Sequence, residues 1–173
     1  MILALDIASD VGCCDGMPGG NPRLWTWHLR DAGKSRQQRL LMLSRFLSSY
    51  FIGNAVTGAF YEAPLPLSVM FKIGAIEDTV ALLRGAIGVF ELACAERTVV
   101  CQPVSVQDAR ESVFGWRTNP RGETKRRVLA EVRSIYGVEP ENDHEADAFV
   151  IWRWACNVGD SKLALAGAPL FRE

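Results

Sequence analysis

The chain opens MILALDIAS, and no other stretch constrains the fold as much. Apolar residues fill both alternating positions of Met1–Ile7, so the strand predicted there must be covered on both faces. A strand with one wet face would alternate apolar and polar residues. Met1–Ile7 therefore reads as a central strand in a sheet layered on both sides. It carries one carboxylate, Asp6, at its C-terminal end.

The rest of the chain supplies the layers. Val11–Asp15 and Leu24–Leu29 read as two further strands, joined through the turn-rich loop 16-GMPGGNP-22. Together with the first strand they suggest an antiparallel run of three. The spacing of Leu40, Leu43, Phe46 or Leu47, and Tyr50 predicts a helix over 35–51, stopped by Gly53. The segment 56-VTGAFYEAP-64 reads as a short strand with Glu62 at its C-terminal end. One long helix is predicted over 68–95, where Ile73, Ile76, Val80, Leu83, Ile87, Phe90 and Cys94 form a stripe. Leu82, Val89 and Leu92 broaden that stripe, so burial on more than one side is expected. Thr98–Gln102 reads as a strand. Ser105 and Asp108 open a short helix to about Val113, and Glu123–Tyr136 is a helix closed by Gly137. Asn142 and Glu145 form a capping-box pattern that starts a last helix near Asp143, running to about Cys156. These elements predict one α/β domain over 1–158, a mixed sheet with helices on both faces, followed by a tail over 159–173.

The acids fall at informative places. Asp6 and Glu62 each end a strand. If those strands are parallel neighbours, their C-terminal ends coincide at the usual ligand-binding edge of an open α/β sheet. His144 and Asp147 are three apart on the last helix and share a face, which Ala148, Ile151 and Ala155 carry into the core. Asp6, Glu62 and Asp147, with His144, would then meet. Carboxylates crowded in a half-buried site raise one another's pKa values. Two Mg²⁺ or Mn²⁺ ions would relieve that crowding and suit phosphodiester cleavage. Taken singly, each acid has an ordinary structural reading. A strand-end Asp caps turns, and Asp143 and Glu145 favour a helix N-terminus on dipole grounds alone.

Composition narrows the setting. Formal net charge is −1, so DNA binding would need a local basic patch rather than a basic chain. Such a patch exists between Arg110 and Arg133, where seven basic residues face three acids, Glu111, Glu123 and Glu131. Within it, Arg117, Arg121, Lys125, Arg126 and Arg127 are the candidate phosphate contacts, and Trp116 is a candidate for stacking on an unpaired base. Lys34, Arg36 and Arg39 make a weaker second patch. Five cysteines without metal-ligand spacing read as free thiols in a reducing cytosol. Cys13 and Cys14 should point to opposite faces of their strand. No charged leader region and no membrane-length apolar run are visible, so the expectation is a cytoplasmic protein.

The pieces 2-ILALDIASDVG-12, 61-YEAP-64, 101-CQPVSVQDAR-110 leading to Lys125 and Val128, and 143-DHEADAF-149 resemble the RuvC family of Holliday-junction resolvases, particularly its phage and prophage nucleases. They span about residues 1–155. The resemblance implies an RNase H-like fold with a five-stranded mixed sheet. It implies two divalent ions held by Asp6, Glu62, His144 and Asp147, with Lys125 as the basic residue of the penultimate helix. Asp143 is out of register with the ligand pair and is an outer candidate only. After Asp6 the family usually carries Thr-Gly-Trp, whereas this chain has Val11-Gly12-Cys13. The expected activity is metal-dependent cleavage of branched DNA (a four-way junction, fork or flap) by a homodimer. The alternative is a non-catalytic branched-DNA-binding module on the same fold. A kinase-like ATPase is excluded by the short chain and the missing Gly-rich phosphate loop.

Overall fold

The computed structural model describes the chain through residue 166, apart from Lys34, Ile73, Ala75 and residues 119–122, and its side chains through residue 158. The strands are β1 (Ile2–Asp6), β2 (Val11–Gly16), β3 (Arg23–Trp27), β4 (Gly58–Glu62) and β5 (Val100–Val104). The helices are α1 (Arg36–Gly53), α2 (Leu67–Lys72), α3 (Glu77–Glu96), α4 (Val106–Phe114), α5 (Glu123–Tyr136) and α6 (Asp143–Ala166). The sheet is ordered β3-β2-β1-β4-β5. β1, β2 and β3 pair antiparallel, while β4 and β5 continue parallel from β1.

β1 lies in the middle, as its two apolar faces require. Leu3 and Leu5 pack with Cys13, Ala59 and Tyr61 beneath α1 and α3. Ile2 and Ala4 pack with Cys14 and Phe60 beneath α4, α5 and α6. Alternation along each strand thus assigns neighbours to opposite layers. Cys13 and Cys14 follow it, each fully buried in a different cluster and each a free thiol.

Two helices depart from the periodicity reading. The single helix expected over 68–95 is two, α2 and α3, interrupted around Gly74, whose φ of +84° is left-handed and ends a helix without penalty for glycine. Ile76 is the N-cap of α3 and 72% exposed instead of lying on its stripe, and Ile73 is outside the described residues. Val80, Ile87, Phe90 and Cys94 are buried as expected, Leu82 is buried and Val89 packs against the same core, so α3 is covered beyond its main stripe; only Leu92 of the broadening residues departs, at 60% exposed. The last helix also continues past Cys156, to Ala166.

One buried polar group in the α1 layer was not legible from pattern. Asp15 of β2 is buried and accepts from the Tyr50 hydroxyl of α1, and Arg23 Nη2 of β3 donates to it at 2.6 Å. Burial, followed by the hydrogen bond to Asp15, pushes the Tyr50 hydroxyl well above its ordinary pKa. A buried carboxylate deprived of a donor keeps its desolvation penalty. Tyr50→Phe should therefore lower unfolding free energy by about 1–3 kcal/mol in denaturant titrations.

Candidate active site

β1 and β4 run parallel in a register that sets Leu5 level with Tyr61. The next residues, Asp6 and Glu62, therefore end their strands side by side at the C-terminal edge of the sheet. The first turns of α6 lie across that edge. Its His144 Nδ1 stands 2.6 Å from Asp6 Oδ2. A carboxylate can only accept, so the hydrogen is on Nδ1 and the other ring nitrogen is left for a ligand or a proton. The hydrogen bond to Asp6, opposed by burial, raises the His144 pKa above its ordinary value.

Glu62 is strongly perturbed. Burial, then the charge of Asp6 and a hydrogen bond to it, push the Glu62 carboxyl up to about 9. Asp147 adds to that rise and Arg110 opposes it. Asp147 itself is raised, first by burial, against the pull of Arg110. Three of the expected acids thus share one electrostatic neighbourhood with His144.

Two cations frame the acids. Arg110 of α4 is buried and grips Asp147 Oδ1 with Nη2 at 2.6 Å and Nε at 3.3 Å. Lys125 of α5 pairs with Asp143, and that bond raises the lysine's pKa. Burial pushes Asp143 up, but Lys125 outweighs it and holds the carboxyl below its ordinary value. Arg110 was counted in the sequence only as part of a basic run. The signal that could have found it is helical spacing: Val106, Ala109, Arg110, Val113 and Phe114 are the covered positions of α4, so the arginine sits on the inward stripe. Beside Asp6 and Glu62 opens a cleft of about 190 Å³, walled by Pro64, Leu65, Met70, Leu83, Arg84 and Ile87.

Besides Lys125, the candidate DNA contacts fall on α5 and on the segment between α4 and α5. Arg117 pairs with Asp108 and with Glu111, at 3.2 Å from the latter. Arg127 Nε donates to Glu131 Oε1 at 2.6 Å, and Trp116 Nε1 donates to Glu131 Oε2 at 2.7 Å. The half-buried Trp116 ring stacks on Phe114 with centroids 5.6 Å apart, and Arg127 lies 4.3 Å from its centroid. Arg126 is exposed, and Arg121 and Lys34 are outside the described residues. Of the weaker patch, Arg36 pairs with Asp78 at 3.5 Å, and Arg39 Nε donates to the Gly33 carbonyl at 2.9 Å.

The donor set suits a hard divalent cation, which prefers carboxylate oxygens and accepts imidazole. Burial first, and then the neighbouring charge of Asp6, raise the Glu62 carboxyl, and a cation bound between the two acids would offset both. As the side chains stand, no three His, Cys, Asp or Glu among the described residues are arranged to hold a metal. His144 is turned onto Asp6, and Arg110 onto Asp147.

No protein-family model matches the chain, and no curated protein matches it in sequence. Solved structures do match in shape. The chain is similar to Thermus thermophilus RuvC, at 14% identity over 94% of this chain and 96% of that one, with a TM-score of 0.67. It is similar to T. thermophilus RuvC in complex with a Holliday junction substrate, at 13% identity over 92% and 94%, also at 0.67. The yeast mitochondrial Holliday junction resolvase Ydc2 matches at 10% identity over 95% and 82%, with a TM-score of 0.58. The fold is RuvC-like, within the RNase H-like class.

A raised carboxyl pKa has a direct consequence for stability. The folded chain keeps a proton on Glu62 up to about pH 9, whereas the unfolded chain releases it near 4.5. The unfolded state therefore binds fewer protons between those values, and stability falls as pH rises through that window. Denaturant titrations of the metal-free protein across that range should show the decline, and Glu62→Gln should flatten it.

Proposed function

We propose that the chain is a metal-dependent, structure-selective endonuclease that cuts branched DNA, of the phage or prophage type its motifs resemble. The observation that carries this reading is the meeting of Asp6, Glu62, Asp147 and His144 at one sheet edge, bordered by Arg110 and Lys125. The shared fold with a RuvC–Holliday junction complex supports a four-way junction as substrate, with forks and flaps as related geometries.

Asp6, Glu62, His144 and Asp147 would hold Mg²⁺ or Mn²⁺, two ions when fully loaded. Such ions supply Lewis-acid polarisation of a phosphoryl oxygen and acidify water. The chain's own groups do the rest. Glu62 would serve as a ligand in its deprotonated form, and Asp6 orients the His144 ring through Nδ1. Lys125 and Arg110 place positive charge beside the cluster, where negative charge on a phosphate would grow. The exposed face of α5, with Lys125, Arg126 and Arg127, and the segment carrying Arg117, Arg121 and Trp116, would bear the duplex arms. These contacts read backbone shape rather than sequence. The exposed apolar side chains Leu92 of α3 and Phe71 of α2 support a homodimer that brings two sites to one junction. None of the described helices is long and apolar enough to cross a membrane.

A second reading is a branched-DNA-binding module that does not cut. The hold of Arg110 on Asp147 favours it, because a guanidinium already neutralises one expected ligand. The two readings separate in a cleavage assay on labelled four-way, forked and linear DNA, with Mg²⁺ or Mn²⁺ and with chelator. Metal-dependent cutting of branched DNA by the wild type, abolished in Asp6→Asn with junction binding intact, is the expected outcome. Binding without cutting under every metal condition would select the second reading.

Salt dependence tests the contact surface. Each phosphate contact releases counterions, so four contacts would weaken junction affinity about a hundredfold for a fourfold rise in salt. Electrophoretic titrations should show that steepness, and Arg126→Ala should reduce the slope.

A further inference from the structure

Residues whose side chains are outside the acid cluster settle where α6 rests on the sheet. Gly12 of β2 lies directly under its first turn. A Cβ added at Gly12 would stand 2.1 Å from the His144 carbonyl oxygen and 2.8 Å from the Glu145 nitrogen. Both are backbone atoms, so no flexible side chain can swing aside. Gly12 is level with Asp6 on one neighbouring strand and with Thr26 on the other.

Thr26 supplies the second half of the seat. Its hydroxyl donates to Glu145 Oε1 at 2.7 Å and accepts from Asn142 Nδ2 at 2.7 Å. Asn142 Oδ1 accepts from the Glu145 backbone N–H at 3.0 Å, which closes a ring of three residues. Glu145 Oε2 accepts from the Glu141 N–H at 2.9 Å. Glu145 is 2% exposed and both of its carboxylate oxygens are occupied. A buried, hydrogen-bonded carboxylate is a costly group to move, because shifting it strands donors and acceptors away from water. A helix cap alone would need only Asn142. It would not need a threonine from β3, nor a strand stripped to glycine beneath the helix.

We propose that Gly12, Thr26, Asn142 and Glu145 form a positioning clamp. It sets the height and rotation of the first turn of α6, and so holds His144 on Asp6 and Asp147 over the same edge. The four residues act through α6 and touch no reacting atom. Only the kinetic consequence rests on the nuclease reading; the geometric one does not. The deeper part of α6 is anchored separately by Phe149, Ile151 and Trp152, all buried, so loosening the clamp leaves the helix in place.

The test compares Gly12→Ala, Thr26→Val and the conservative Thr26→Ser by two readouts. One is kcat against KM and junction affinity with Mg²⁺. The other is the position of the His144 ring proton signals in NMR spectra of the DNA-free protein. Gly12→Ala must lift the first turn, and a displacement of about 1 Å can reduce catalysis about a hundredfold. Gly12→Ala and Thr26→Val should lower kcat by about that factor, with KM and junction affinity nearly unchanged. Both should move the His144 signals, and Thr26→Ser should match wild type on both readouts. Should Gly12→Ala fail to fold, the Val and Ser variants at Thr26 decide alone. A folded Thr26→Val protein with wild-type kcat and unmoved His144 signals overturns the clamp, as does equal loss in Thr26→Ser. If the wild type cuts no DNA, the nuclease reading falls while the clamp is still judged: signals moved in Thr26→Val but not in Thr26→Ser support it, and unmoved signals refute it.

Discussion

Two carboxyl groups that end parallel neighbouring strands cannot avoid each other. The pairing of β1 with β4 leaves Asp6 and Glu62 side by side at a half-covered edge, and most of what is distinctive in this protein answers that arrangement. Water is too scarce there to screen two charges fully, so one carboxyl holds its proton well into the alkaline range. His144 leans on Asp6, while Arg110 and Lys125 take the flanking acids. The protein's own cations thus answer part of the negative charge at this edge.

The scaffold around the edge explains why the arrangement holds. β1 is covered on both faces, so its end cannot drift toward solvent without opening a core. α6 serves two ends at once: its middle is buried against the sheet, and its first turns present His144 and Asp147. A helix with both duties needs its register fixed from outside the acid cluster. Gly12 and the ring of Thr26, Asn142 and Glu145 lie where that constraint would act. Arg110 reaches in from the opposite side on α4, so Asp147 is held from its own helix and from a neighbour.

Much of this was legible in the residue order. The doubly apolar β1, the strand-ending Asp6 and Glu62, and the three-residue spacing of His144 and Asp147 all express short repeats that secondary structure translates directly. The missed features share a different character. The break around Gly74 was invisible because apolar spacing counts side chains, not backbone angles, and the stripe reads smoothly across it. Arg110 counts in the sequence only as one of seven basic residues, because a basic run draws attention to sign, although its place on α4 puts it inside. Glu145 fitted a helix cap, and its backbone N–H does meet Asn142, but its carboxylate is spent on Thr26 and Glu141. Asp15 gave no sign of its bond to Tyr50, 35 residues away.

What the sequence by itself determined is the kind of sheet this chain builds and which acids stand at its edge. Those follow from periodicities of two and of three to four residues, which are local and act before any long-range contact forms. What only the tertiary structure decided is which charge meets which. Asp6 and His144 are separated by 138 residues, yet their side-chain atoms come within hydrogen-bonding distance. Electrostatic and hydrogen-bond energies depend on distance through space and on the loss of water. Partner choice therefore belongs to the packing of α4, α5 and α6 against the strands.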